Sequence, residues 1–454
     1  MIDERDLQKL CQYIVSAGKK QKVDAIEVLA RSTSNLEADV EMGEVNQVSK
    51  VIDVEISLRL FMDKKMGCSF TNIPTKEAAD RAVKMAVSAA RVTTRDDSWV
   101  GLPAAGSPYH AIAGLWDDTV PNADPGSFVD SVSRMAAKGI EAEAGLVPGQ
   151  AGAGAASSIV SYANSNGIAH SERRTTAFAY LSAVAKIESG MTPYVFSVDV
   201  QRGLNLDYDG IVKDVADTIH LCKTTAEGET GNHTVIMHPR AFSQLLDNTF
   251  VLSVRGDNVA RGKSRIGDKI GARIAADCLS IYDDGINPKG ISTSVADDEG
   301  VPRQRTPIIE KGVLKSFLWD TYWANRMGVK STGNAERDAR RGLLEIGKTT
   351  VLVPPGRRKV EDILSGIKHG YYVRDVQGAH SSNPESGDFS VVGNPALLIS
   401  DGRLVGAVHG LMVTGNIYEL LEKTQEVARD PLFLPGMISP DVVFHDVSVV
   451  ARSE

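Results

Sequence analysis

Over 454 residues, 42% hydrophobic and 24% charged side chains describe a soluble globular protein with a substantial core. Fifty basic against fifty-eight acidic side chains leave a net charge of −8, which argues against a surface built to wrap a polyanion, and no apolar run approaches the roughly 18 residues of a membrane span. The acidic opening Met1-Ile2-Asp3-Glu4-Arg5-Asp6 lacks the basic segment of a secretory signal, so a cytoplasmic location is expected, with neither membrane nor nucleic acid as partner.

In chain order, Leu7, Leu10, Cys11 and Ile14 fall at helical spacing, with Asp3 placed to cap and Ile2 to staple onto Leu7. Ile26, Val28 and Ala30 alternate with Glu27 and Arg31, and Val54, Ile56, Leu58 and Leu60 alternate with Asp53, Glu55, Ser57 and Arg59. Both read as half-buried strands whose charged face is turned to water. Asp63 to Gly67 is turn chemistry before Cys68-Ser69-Phe70, and Thr75 caps a helix with Ala79, Val83, Ala86 and Ala90 on one side. Periodicity lapses from Val92 to Asp124, a connection punctuated by Pro103, Pro108 and Pro121. Pro125 then opens a helix with an expected inner face of Phe128, Val132, Met135 and Ile140. Asn164-Ser165-Asn166-Gly167 signals a hairpin, and Ile211, Val215, Ile219 and Cys222 mark a further helix. Beyond the linker-like Thr224 to Gly231, glycines recur between short strand-like runs, with Val360 to Leu364 and Ile417 to Val427 as helix candidates. The fold class expected is α+β: N-terminal α+β layers in an N-terminal domain 1–110 and a central domain 111–225, followed by a mostly β C-terminal domain 226–454.

Several motifs invite chemistry. Ala151-Gly152-Ala153-Gly154 carries the glycines of a phosphate loop, but a strand-like run follows where a helix must open, so a small-residue entry to a strand is expected. Asp283-Asp284 and Asp297-Asp298-Glu299 could supply oxygen ligands to Mg²⁺ or Ca²⁺; beside Gly285 and Gly300 they read instead as solvated turn carboxylates. No histidine is followed by Glu, which excludes the H-E-x-x-H zinc pattern. His233 and His238, five apart on a strand, point to opposite faces and are not expected to chelate together. His380, Ser381 and Asp388 hold the residue types of a hydrolase triad without a Gly-x-Ser-x-Gly elbow. Cys11, Cys68, Cys222 and Cys278 include no C-x-x-C pair and read as reduced structural thiols.

Residues alone stop at a multi-domain α+β protein; order and spacing in the last half add more. Asp283-Asp284-Gly285, Asp297-Asp298-Glu299-Gly300-Val301-Pro302, Thr306, Gly312-Val313-Leu314, Gly328 and Ser331-Thr332-Gly333-Asn334-Ala335 together resemble the TldD/PmbA family. Gly387-Asp388-Phe389-Ser390, Gly393, Gly415-Asn416 and Ser439-Pro440 are similar to its C-terminal pattern, and the N-terminal helix and hairpin resemble its first domain. In TldD-type members a helix carries H-E-x-x-x-H, and a late cysteine completes the metal site. Here the like position reads His238-Pro239-Arg240-Ala241-Phe242-Ser243, and no cysteine follows Cys278. That departure resembles the TldE (PmbA)-type subunit.

The resemblance implies a chain without a cofactor or catalytic residues of its own, paired with a zinc-bearing TldD-type metallopeptidase subunit as a heterodimer. Small or unfolded peptide substrates would thread into a chamber between the subunits; the family has also been described as modulators of DNA gyrase. His238 is expected in a packing or partner-contact role. Thr332, Gly333 and Asn334, and Gly387, Asp388, Phe389 and Ser390, are the candidate segments lining the channel or the partner, against the simpler reading of structural glycine turns. Two rivals stand beside this: a homodimeric peptide-binding or regulatory protein, and a hydrolase acting alone through Asp283, Asp284, Asp297 and Asp298 with Mg²⁺.

Overall fold

The computed structural model describes residues 1–41, 44–188 and 190–452. Helix α1 (Glu4–Lys20) starts where the Asp3 carboxylate accepts from the Arg5 N–H, and it buries Leu7, Cys11, Ile14 and Val15. The chain then turns into β1 (Ala25–Glu41), β2 (Glu44–Met62) and β3 (Lys65–Thr71), followed by α2 (Lys76–Val92), capped by Thr75. The long connection ends at α3 (Pro125–Ala142), and β4 (Leu146–Asn164), β5 (Ala169–Ile187), β6 (Gly190–Met191), β7 (Val195–Gln201) and α4 (Tyr208–Cys222) complete the first half. One antiparallel sheet runs in the order β3-β2-β1-β4-β5-β6, with β7 also on β5. Because β1 pairs with β4 from Glu27↔Asn164 to Glu41↔Gln150, the segments before and after residue 110 share that sheet.

All four helices lie on one face of it. Even-numbered residues of β1 point toward them: Ile26, Val28 and Ala30 pack under α1 and α2, and Leu36, Ala38 and Val40 under α3 and α4. The alanine stripe of α2 permits a close approach to β3 at Gly67, where an added methyl would overlap the Ala86 carbonyl and stand 2.7 Å from the Ala90 nitrogen. Gly67→Ala is therefore expected to cost about 1–3 kcal/mol through overpacking, read as a lowered urea midpoint at unchanged slope. In α3, Phe128, Val132 and Met135 are buried as expected, but Ala136 and Gly139 complete the inner face and Ile140 is 52% exposed. The turn around Gly139 sits close enough to Leu181 that the small residue, and not the large one, must face the sheet. The glycine-alanine run 151–156 lies inside β4, and no helix follows. Methyl groups at Gly152 and Gly154 would stand 2.6 Å and 2.7 Å from the rings of Tyr180 and Phe178, so these glycines make room for aromatic side chains on β5.

The second half builds two further large sheets and a two-stranded one, Ala335–Asp338 against Leu343–Ile346. β8 (Gly231–Met237) leads into α5 (Pro239–Asn248) and lies inside a nine-stranded sheet, between Val442–Val450 and the parallel strand His369–Val373. β9 (Ile281–Asp284) lies inside a six-stranded sheet, between Arg305–Glu310 and Val351–Leu352. Their shared core includes Phe242 and Phe444, with ring centres 5.6 Å apart. The expected helix from Ile417 ends at Glu422, and Thr424–Val427 instead pairs with Val442–Val450. The chain turns at Lys423 because Thr424 and Val427 find ladder partners there.

Candidate functional site

His238 caps α5: its Nδ1 accepts from the Arg240 N–H at 3.3 Å, and Pro239 takes the first helical position. Its ring stands edge-on to Tyr372. Burial, and then the Arg374 and Arg240 guanidiniums, push its pKa well below the usual imidazole value, so the ring stays neutral. Arg374 is held by Asp214 through bonds of 2.7 Å and 2.9 Å. A catalytic zinc needs three protein ligands and an open position. This place offers one imidazole with a committed nitrogen, next to two guanidiniums that repel a dication, so the residues present do not fit such an ion.

The acidic motifs are not solvated, which corrects their reading as water-facing turns. Asp283, Asp284, Asp297 and Glu299 are all buried. Asp283 accepts from the Asn334 side-chain amide (2.7 Å) and from the Thr349 N–H (2.6 Å). Asp297 accepts from three backbone N–H groups, of Glu299, Val301 and Ala335. Asp298 accepts from Arg31 and from the Arg337 N–H. These oxygens serve the fold, with donors in the positions a hard cation would take.

Thr332 and Asn334 belong to the same interior network, with the Thr332 hydroxyl accepting from the Trp319 N–H (2.7 Å) and Asn334 also donating to the Gly347 carbonyl. Gly333 between them has φ +71°. Gly387 has φ +83° and leads into the strand Asp388–Gly393, where Phe389 enters the core while Asp388 and Ser390 are exposed. Asp388 is engaged by Ser386 and Asn416, and no hydrogen bond among the described residues links it to His380. Cys11 and Cys222 are buried, and burial raises each thiol to about 12, away from nucleophilic use.

Periodicity missed the centre of the molecule. On the sheet face opposite the helices, Glu27 is wholly buried and accepts from Arg59 Nε (2.5 Å), Arg337 Nη2 (2.6 Å) and Tyr162 Oη (2.6 Å). Burial alone would raise its pKa; Arg337, Arg59 and Tyr162 outweigh burial and hold it below the usual value. Glu299, 3.6 Å from Arg59, goes the other way: burial and then the charges of Asp297, Glu27 and Asp320 push it up to about 8. Two cavities flank this cluster between the N-terminal sheet and the C-terminal half. One, about 370 Å³, is lined by Arg31, His170, Arg174, Arg303 and Arg337. The other, about 750 Å³, has Glu299 and Asp320 in its wall with Trp99 and Trp323, the latter between Arg261 and Arg326 at 4.8 Å and 5.1 Å. A charged chamber beside an aromatic one can receive polar backbone and apolar side chains together.

Three successive segments match family domains: residues 26–90 the PmbA/TldA metallopeptidase domain 1, residues 123–221 the central domain, and residues 230–451 the C-terminal domain. TldE from Thermococcus kodakarensis superposes with a TM-score of 0.93 at 30% identity, over 97% of this chain and 100% of that one. The chain belongs to the PmbA/TldD family and is of the TldE type. An uncharacterized protein of Methanocaldococcus jannaschii is 27% identical over 97% of this chain and 98% of its own length. A metalloprotease TldD homolog of Buchnera aphidicola is 29% identical over 47% of this chain and 44% of its own. No helix among the described residues is long and apolar enough to cross a membrane.

Proposed function

We propose that this chain is the non-metal-binding subunit of a cytoplasmic TldD/TldE heterodimer that degrades or processes small or unfolded peptides. The observation that carries the reading is the chemistry at His238: one neutral imidazole between Arg240 and Arg374, where a zinc hydrolase needs three ligands. The chain then contributes surface and shape. Asp388 and Ser390 face outward beside the buried Phe389, and His238 stands at the start of α5, so these positions are assigned to the channel or partner face. Thr332, Gly333 and Asn334 brace the wall from behind, as the hydrogen bonds from Asn334 to Asp283 and Gly347 suggest.

The test is co-expression with a TldD-type subunit carrying H-E-x-x-x-H. The pair is expected to co-purify at one to one and to cleave an unfolded peptide until a chelator is added, whereas this chain alone leaves the peptide intact. Chelator-sensitive cleavage by the isolated chain, or a stable homodimer that ignores the added subunit, would overturn the proposal.

A further inference from the structure

We infer that Glu229, His233 and His369 form a site for a borderline divalent transition metal of the zinc class, separate from the His238 position. Each offers a ligand atom, and these atoms all lie within 4.8 Å of one another, the only such group of three among the described residues. Two adjacent parallel strands make the arrangement. His233 is the third residue of β8, and His369 opens the strand whose Gly370 pairs with Thr234, so the two rings come together at the same end of the sheet.

The Nδ1 atoms of the two rings are 3.1 Å apart. Two nitrogens bound to one ion at 2.0–2.1 Å, at angles between octahedral and tetrahedral, are separated by about 2.9–3.4 Å. The observed spacing falls inside that window. Glu229 brings a carboxylate oxygen to 4.0 Å from His369 Nε2, the nitrogen on the other side of that ring from Nδ1, so the exposed side chain has to swing toward the paired Nδ1 atoms to supply the third ligand. Its backbone is pinned for this: Tyr371 Oη accepts from the Glu229 N–H at 2.8 Å and donates to its carbonyl at 3.2 Å. The same tyrosine stands edge-on to both imidazoles. His233 Nε2, the ring nitrogen turned away from the pair, is buried without a partner.

Two imidazoles and one carboxylate suit Zn²⁺, Co²⁺ or Ni²⁺ better than Mg²⁺ or Ca²⁺. The exposed Glu229 leaves positions open to water. Glu229 belongs to the segment joining the first half of the chain to β8, so a bound ion would fasten that segment to the nine-stranded sheet.

The experiment is a Co²⁺ titration of the metal-stripped full chain, followed by its visible absorption, with Zn²⁺ as competitor. One equivalent is expected to bind. Glu229→Gln, whose side chain is exposed and outside the core, and His369→Ala should each weaken binding at least tenfold, while His238→Ala should leave it unchanged. Absence of stoichiometric binding, or binding that survives both substitutions, would sink the site. Binding lost in His238→Ala but kept in the other two would sink it together with the metal-free reading of α5. Metal at Glu229, His233 and His369 without peptide cleavage would leave the heterodimer proposal standing, so the two fail separately.

Discussion

Glu27→Ala is expected to remove about 3–5 kcal/mol of stability, the cost of breaking a buried ion pair by deleting one partner. The Arg337 side chain is wholly inaccessible and that of Arg59 nearly so, and both aim at this one carboxylate. Two nitrogens of Arg337, Nε and Nη1, already lack a partner, so removing Glu27 would leave that guanidinium with little more than the Asp298 carbonyl at 3.2 Å. A hydrophobic replacement that merely leaves a cavity costs similar free energy, so the control matters. In Glu27→Ala combined with Arg337→Ala the loss should be well below the sum of the single losses, because the second change removes the stranded charge. Urea denaturation reads both; strict additivity, or a loss under about 1 kcal/mol, would mean that water reaches the cluster and screens it.

This pair also marks the limit of what sequence patterning can reveal. Ile26, Val28 and Ala30 announce a strand with one apolar face, and the structure puts that face under α1 and α2. The intervening Glu27 and Arg59 are indistinguishable, by type and period, from residues facing water. What buries them is a segment that ends some three hundred residues later at Arg337, and no local period records a second layer. The acidic motifs failed for the same reason: Asp297 does cap backbone, as a turn carboxylate should, but the turn lies inside the molecule. Helices were readable wherever an apolar stripe met a capping side chain, as at Asp3, Thr75 and Asp124. Ile140 was misplaced because hydrophobicity was weighed without the closeness of packing that favours Gly139. For His233 a partner was sought along its own strand, whereas His369, 136 residues away, reaches it across the sheet. The family resemblance, by contrast, rested on the order of short motifs, and the hydrogen bonds from Asn334 and Thr349 to Asp283 give those motifs a common physical role.

Glu299 supplies the second large effect, and its sign is opposite to that of Glu27. A carboxyl whose pKa is higher folded than unfolded binds its proton more tightly in the native state. Its stabilising contribution is complete below the unfolded value near 4.3 and is lost as pH climbs through the folded value, about 8 for Glu299. Asp297 and Asp320, each raised to about 6 chiefly by burial, act in the same direction over a lower window. Glu27 and Asp298, held low by arginines, weaken the fold only in more acidic solution, and His238, held well below the usual imidazole value, opposes the trend only below the ordinary imidazole value of about 6.5. Melting temperature should therefore fall from about pH 6.5 to pH 8, and Glu299→Gln should flatten that slope and stabilise the chain at pH 8 by about 2–4 kcal/mol. Gln keeps an acceptor for the Thr321 N–H, which Glu299 now receives at 2.9 Å, so the substitution removes the titration and spares the hydrogen bond. A variant whose melting curve tracks the parent at every pH would show that Glu299 is ionised in the folded protein, and that Arg59 alone is enough to hold its charge.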